Sequence, residues 1–200
     1  KEIKKTKEEV FSFKANLANL EETKQFVEEV HQKIGPIDIL VNNVGTAIKR
    51  TPFLDTNEEL WHTAFNVNVM STVRCTKYFL PDMIEKGWGR IINISSISAK
   101  TVRAANSSHY VTMKGAIDSF TKSIAYEVSS HGITANTVSP GIINTPFQVK
   151  TPGRSFGEIE KVIPVGRVGT PDDIAPLVAF LATEDASYIT GEDYIVAGGG

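Results

Sequence analysis

A single cysteine, Cys75, stands in 200 residues, which excludes an internal disulfide and fits a reducing cytoplasm. Its setting, Val73-Arg74-Cys75-Thr76, reads as a small helix-packing residue and not as a nucleophile. The four histidines, His31, His62, His109 and His131, have no metal-ligand spacing, so no metal is expected. Long apolar runs are missing too: stretches such as Leu177 to Ala182 are far too short to cross a bilayer. The charged start Lys1-Glu2-Ile3-Lys4-Lys5 has no apolar core of the kind a signal peptide needs. A net charge of −2 with dispersed Lys and Arg offers no footprint for nucleic acid. Repeats, low-complexity tracts and a second-domain boundary are likewise not found. With 41% hydrophobic residues, the chain has enough apolar material for one globular domain over residues 1–200.

The apolar residues are arranged as short runs alternating with longer amphipathic stretches, the pattern of βαβ units around a parallel sheet. Strands are predicted at Val10 to Lys14, Ile37 to Val41, Arg90 to Ile94, Ile133 to Val138 and Tyr188 to Val196. A helix is predicted from Glu21 to Ile34, with Phe26, Val27, Val30 and Ile34 on one side and Gly35-Pro36 as its stop. Thr56-Asn57-Glu58-Glu59 reads as a capping box opening a helical region that runs to Met83, with a break or kink at Pro81. Met113, Ile117, Phe120, Ile124 and Val128 give the segment Ser108 to Val128 a core stripe. Ser139-Pro140-Gly141 is expected to end the fourth strand, and 144–169 to form a mobile lid. Thr170-Pro171-Asp172-Asp173 caps a last helix through Leu181.

Within this frame Tyr110 and Lys114 are four residues apart on one helix face, so phenol and ammonium project side by side. A neighbouring cation stabilises phenolate and is expected to lower the tyrosine's pKa from about 10 by roughly 1–3. That would make Tyr110 a proton donor and acceptor near neutral pH. The bland reading is a surface pair worth a few tenths of a kcal/mol.

Five segments in order resemble the short-chain dehydrogenase/reductase family over essentially the whole chain. They are Asn42-Asn43-Val44-Gly45, Phe65-Asn66-Val67-Asn68-Val69, Ile92-Asn93-Ile94-Ser95-Ser96, Tyr110-Val111-Thr112-Met113-Lys114 and Ser139-Pro140-Gly141-Ile142-Ile143-Asn144-Thr145. The resemblance implies a Rossmann-like, doubly wound parallel sheet in three α/β/α layers, and hydride transfer between NAD(P)(H) and a carbonyl or secondary alcohol. It assigns catalysis to Asn68, Ser96, Tyr110 and Lys114. Tyr110 would move the proton, Lys114 would lower its pKa and bond the nicotinamide ribose, Ser96 would donate to the substrate oxygen, and Asn68 would hold a relay water. Cofactor contacts carry over to Asn16, Leu17, Asn43, Gly45, Tyr110, Lys114, Pro140, Gly141, Ile142 and Thr145. For the loop residues the bland reading is turn chemistry alone.

Two departures from the family pattern stand out. No Gly-x-x-x-Gly-x-Gly turn precedes the first strand, so strands one and two of the fold are expected to be missing, with weak cofactor binding as the result. Val10 to Lys14 would then lack a neighbour, and an apolar edge of Ile37 to Val41 would be uncovered. At the adenine contact, Asn16 replaces an aspartate and keeps an acceptor oxygen. NAD and NADP stay equal, since the residues that discriminate them follow the second strand. The short segment from Pro146 to Ile163 resembles bacterial 3-oxoacyl carrier-protein reductases and sugar or generic alcohol dehydrogenases. The resemblance further implies a cytoplasmic homo-oligomer, dimer or tetramer, with Val73, Ala116 and Ala125, apolar residues beyond one core stripe, expected to face a second copy; it acts on a small molecule and on neither nucleic acid nor membrane. Two other readings stay open: a scaffold that kept the fold without cofactor binding, and a non-redox lyase or epimerase.

Overall fold

A computed structural model describes residues 9–101, 105–146 and 156–200, and every structural statement below is made of these. Helix α1 (Leu20–Lys33) leads to strand β1 (Ile39–Asn42). Helices α2 (Glu58–Phe65) and α3 (Ser71–Lys86) follow, joined by a π-helical turn, and then β2 (Gly89–Ile94). Next come α4 (Ser108–Val128), β3 (Ile133–Pro140), the short α5 (Phe156–Glu160), α6 (Pro171–Leu181) and β4 (Asp193–Val196). The four strands are all parallel, in the order β1-β2-β3-β4.

Alternation along β2 splits the core in two. Ile91 packs with Met83 of α3 and Ala125 and Val128 of α4, while Ile92 and Ile94 meet Leu181, Ile174 and Leu177 of α6 on the opposite face. Helices therefore cover both faces, giving three α/β/α layers. Burying side chains such as Ile91, Ile92 and Val138 stabilises the fold by roughly 1.5–3 kcal/mol each. Strands β2 and β3, buried almost throughout, read as continuous runs for this reason. At the β1 edge the expected uncovered surface is present: Ile39 and Val41 are each 43% exposed. Beneath α1, Cys75 lies buried with Val27, Val30 and Phe79, and burial pushes its thiol up to about 11, as a packing residue requires.

Several expectations need correction. Val10 to Lys14 is not a strand, because no strand lies alongside to complete a ladder. Its Phe13 instead meets Phe26 edge-on at 6.0 Å and lies beneath the Lys33 ammonium. Asn57, not Thr56, is the N-cap of α2; its side chain accepts the Leu60 N–H. Pro81 does not break α3, which is held on either side of it by buried Phe79 and Met83. Strand β3 runs on through Ser139 and Pro140, since Gly141 N–H still bonds Val196 O and Pro140 needs no donor there. The last strand begins only at Asp193, after the turn that Glu184–Ala186 introduces. Of the supposed lid, residues 147–155 lie outside the described residues. Its base is pinned by Asn144 N–H to Gly169 O and Gly169 N–H to Ile142 O, at 2.8 and 3.0 Å.

Candidate active site

The C-terminal ends of β1 and β2 meet the helix pair α2–α3 and the start of α4. The π-helical turn Asn66–Met70 widens the helix here, with Ser71 N–H reaching back five residues to Asn66 O. That leaves the Ala64 carbonyl to the side chain of Asn68, whose Nδ2 donates to it at 2.9 Å. Nδ2 also donates to Thr46 O at 3.0 Å, and Oδ1 accepts the Thr46 N–H at 2.9 Å. Asn68 is fully buried, so these three bonds fix its amide and clamp the loop after β1. One lone pair of Oδ1 is left for any further partner.

Gly45 shows why this loop carries a glycine. A Cβ there would lie 2.8 Å from Lys114 Nζ and 3.0 Å from Asn68 Oδ1, so Gly45, Asn68 and Lys114 meet at one point. The Lys114 ammonium, 3% exposed, donates to Ile94 O at 2.8 Å. Ser95 Oγ returns the stitch by donating to Lys114 O at 3.1 Å. Ser96, the next residue, caps the turn Ile97–Ala99 by accepting the Ser98 N–H, and its side chain is hydrogen-bonded to Tyr110. Lys114 Nζ stands 5.9 Å from the centre of the Tyr110 ring. Four residues named from sequence thus form one cluster.

The electrostatics correct one expectation. Burial pushes the Tyr110 phenol above its ordinary value, and the Ser96 hydrogen bond and the Arg50 charge offset this only in part. The Lys114 ammonium, 5.9 Å from the ring centre and donating to the Ile94 carbonyl, does not outweigh that burial. Burial instead pulls Lys114 from 10.5 down to about 8, against the opposing pull of Asp118.

Two further pieces were invisible in the sequence. Arg50, on the loop after β1, acts on Tyr110 through its charge, and no spacing announced it. His109, fully buried, uses Nε2 to donate to Ala47 O at 2.8 Å, so the α4 start is tied to the same loop. The loop crosses an unfavourable backbone angle at Ile48, φ 58°, a β-branched residue, and Asn106, just before α4, has φ 59°. Thr51 N–H bonds Asn106 O at 2.8 Å and closes the contact. Beside it lies a cavity of 440 Å³, lined by Phe53, Ser98, Lys100, Thr101, Asn106 and Val111 among others.

Of the proposed cofactor contacts, Asn43 is exposed just beyond β1. Gly141 passes so close to β4 that a Cβ would lie 2.8 Å from Ala197. Pro140 ends β3, Ile142 is half-buried, and Thr145 Oγ1 donates to Ile143 O. Asn16 and Leu17 stand apart from the cluster, at the turn before α1. Asn16 Oδ1 accepts the Ala18 N–H, so the side chain is engaged locally. Leu17 packs on the Val27 group, and its carbonyl accepts from Arg74, which also holds Asn66 of the π-helical turn.

The family model described as enoyl-(acyl carrier protein) reductase matches residues 1–200. An acetoacetyl-CoA reductase of Allochromatium vinosum is 35% identical over 94% of this chain and 75% of its own length. The 3-oxoacyl-acyl-carrier-protein reductase FabG of Vibrio cholerae is 38% identical over 92% of this chain and 75% of its own. Among solved structures, ElxO with NADP bound superposes with a TM-score of 0.85 at 32% identity, covering 94% of this chain and 76% of that one. A metagenomic blue fluorescent protein in complex with NADPH gives 0.84 at 34%, over 92% and 73%. With a family model matched over residues 1–200, and relatives 35% and 38% identical over more than nine-tenths of the chain, the chain belongs to the short-chain dehydrogenase/reductase family.

Proposed function

We propose that the protein is a reductase that moves a hydride between NAD(P)(H) and a carbonyl or secondary-alcohol carbon, with Tyr110 as proton donor and acceptor. The observation that carries this reading is the hydrogen-bonded Ser96–Tyr110 pair with the buried Lys114 ammonium beside it. A nicotinamide cofactor, when bound, supplies or accepts the hydride. The rest is the work of this chain's own groups. Tyr110 gives its phenolic proton to the carbonyl oxygen in reduction and takes it back in oxidation. Ser96 Oγ–H donates to the same oxygen, where negative charge builds up. Asn68 holds the loop after β1 in place and keeps one lone pair of Oδ1 for a relay water toward Lys114.

The residues at the strand ends suit the nicotinamide half of such a cofactor. The close approach at Gly45 leaves backbone next to the Lys114 ammonium, suited to the hydroxyls of a ribose. Asn43, Pro140, Gly141, Ile142 and Thr145, at strand ends, would line the nicotinamide side, and Asn16 and Leu17 the adenine side. NADP(H) is the form to try first, because the similar structures were solved with it. The names of the relatives make 3-oxoacyl thioesters the first substrates to test. We place the enzyme in the cytoplasm on its one free, buried thiol. We infer a homo-oligomer, supported by exposed Tyr126 on α4 and Ile84 on α3.

The test is oxidation of reduced cofactor with acetoacetyl-CoA and a panel of small ketones, run beside Ser96→Ala and Tyr110→Phe. Substrate-dependent oxidation that both variants lose supports the reading. Cofactor binding without turnover on any carbonyl would favour a scaffold.

A further inference from the structure

Behind Lys114 the protein carries a group of charges that the proposed mechanism does not use. Tyr110, Lys114 and Asp118 recur every fourth residue, so they line one face of α4. Asp118 is 8% exposed, and its Oδ1 is buried with no hydrogen-bond partner. Its Oδ2 is paired with Lys100, which also pairs with Asp193 of β4. Asp193 Oδ1 in turn accepts from Ser139 Oγ at 2.7 Å, within β3. Lys100 is the residue on which the turn Ile97–Ala99 ends, the turn that Ser96 begins. One lysine therefore ties the Ser96 turn, α4 and the strand pair β3–β4 together.

We propose that Lys100 and Asp118 are positioning residues that together set the protonation of Lys114, Asp118 holding the proton on and Lys100 limiting how strongly it does so. The proposal rests on the reading of Lys114 as part of the catalytic set. Among the described residues, the charged and titratable groups around Lys114 are few. Asp118 and Tyr110 lie on its own helix, Lys100 comes from the turn after β2, and Asp193 from β4. Arg50, from the loop after β1, acts on Tyr110, and His109 turns to Ala47. Burial pulls the Lys114 ammonium toward its neutral form, and the charge of Asp118 opposes this. Burial pulls Lys100 down as well, but its two carboxylate partners outweigh that and leave it raised, so it stays charged. Its positive charge then screens Asp118 from Lys114.

This arrangement makes two single changes act in opposite directions, which a merely structural role would not. Asp118→Asn removes the opposing charge and moves the Lys114 midpoint below its value of about 8. Lys100→Met keeps the stem but leaves Asp118 and Asp193 unneutralised, and moves the midpoint up. Each shift should be about one pH unit for charges a helical turn apart in a partly screened site. Lys100→Arg, which keeps both charge and reach, leaves it in place.

The experiment titrates the Cε resonance of Lys114 in protein carrying isotope-labelled lysine, assigned by its loss in Lys114→Met. The basic limb of kcat/KM is recorded alongside for each variant. Opposite shifts in Asp118→Asn and Lys100→Met, in both readouts, are the result expected. Midpoints that stay put, or move the same way, overturn the proposal. Should Lys100→Met fail to fold, Asp118→Asn decides alone, since an unmoved midpoint there is equally fatal. The resonance reports on Lys114 whether or not the protein turns over. Expected shifts in an inactive protein would refute the reductase reading only, and unmoved midpoints in an active one this inference only.

Discussion

At the scale of residues, the cluster around Tyr110 was legible because chemistry fixes residue type. A proton carrier, a cation four residues on, a serine at a strand end and a buried asparagine leave marks in sequence. What the sequence could not show was the direction of the electrostatics. Spacing put Lys114 beside Tyr110 but could not reveal that burial dominates both groups, or that the ammonium faces Ile94 O. Tyr110→Phe is expected to keep the far-UV circular dichroism and Tm of the parent while kcat falls by about 10²–10⁴-fold, the range a general acid supplies. A mutant within about tenfold of the parent would remove Tyr110 from the mechanism. Lys114→Met is expected to abolish turnover without loss of stability. The folded-state pKa of Lys114 is depressed from 10.5 to about 8. The folded chain therefore binds fewer protons than the unfolded one between these values, and stability from this group rises with pH across that window. Below about 8 the buried charge is a full cost, so removing it should leave Tm at neutral pH equal or higher. Thermal melts at neutral and alkaline pH read this directly, and a Tm several degrees lower at neutral pH would contradict it.

At the scale of elements, long periodic segments were readable and edges were not. The stripe Met113, Ile117, Ile124 and Val128 gave α4 its full extent, Ser108–Val128. Val10 to Lys14 has strand-like residues, but a strand is a pairing, and the sequence of one segment does not show whether its partner is present. Pro81 and Ser139-Pro140 mislead for a related reason, since packing on Phe79 and Met83, and the β4 register, outweigh the local signal. The π-helical turn had no sequence mark beyond Asn68 itself. That turn has a measurable consequence. Asn68→Ala leaves Thr46 N–H, Thr46 O and Ala64 O without their partner in a buried setting. A loss of about 2–4 kcal/mol in urea unfolding is expected, together with faster amide exchange at Thr46. Unchanged exchange there would mean that the loop after β1 is held by other contacts, such as His109 on Ala47.

At the scale of the whole molecule, the three layers followed from the alternation of strands and helices, whereas assembly did not follow from the residues first chosen for it. Val73, Ala116 and Ala125 were expected to face a second copy. In the structure Ala125 lies in the core, and Val73 and Ala116 pack against Ala64, Val69 and Met113 within one chain. The oligomer now rests on other residues, with Tyr126 90% exposed on α4. Light scattering at micromolar concentration should give a dimer or tetramer, and Tyr126→Glu should lower that mass; a monodisperse monomer would end the proposal. The exposed Ile39 and Val41 along the unpaired β1 edge offer a second, less specific contact, which would show as polydispersity. The proposed reaction is hydride transfer at a carbon whose oxygen is held by Ser96 and Tyr110. Its most direct test uses reduced NADP carrying deuterium at the transferring carbon, with a 3-oxoacyl thioester as acceptor and mass spectrometry of the product. One deuterium in the new carbinol, from one face of the cofactor, with product formed about 10²–10⁴-fold more slowly by Tyr110→Phe, is the result expected. Product formed without deuterium from the cofactor would contradict the claim.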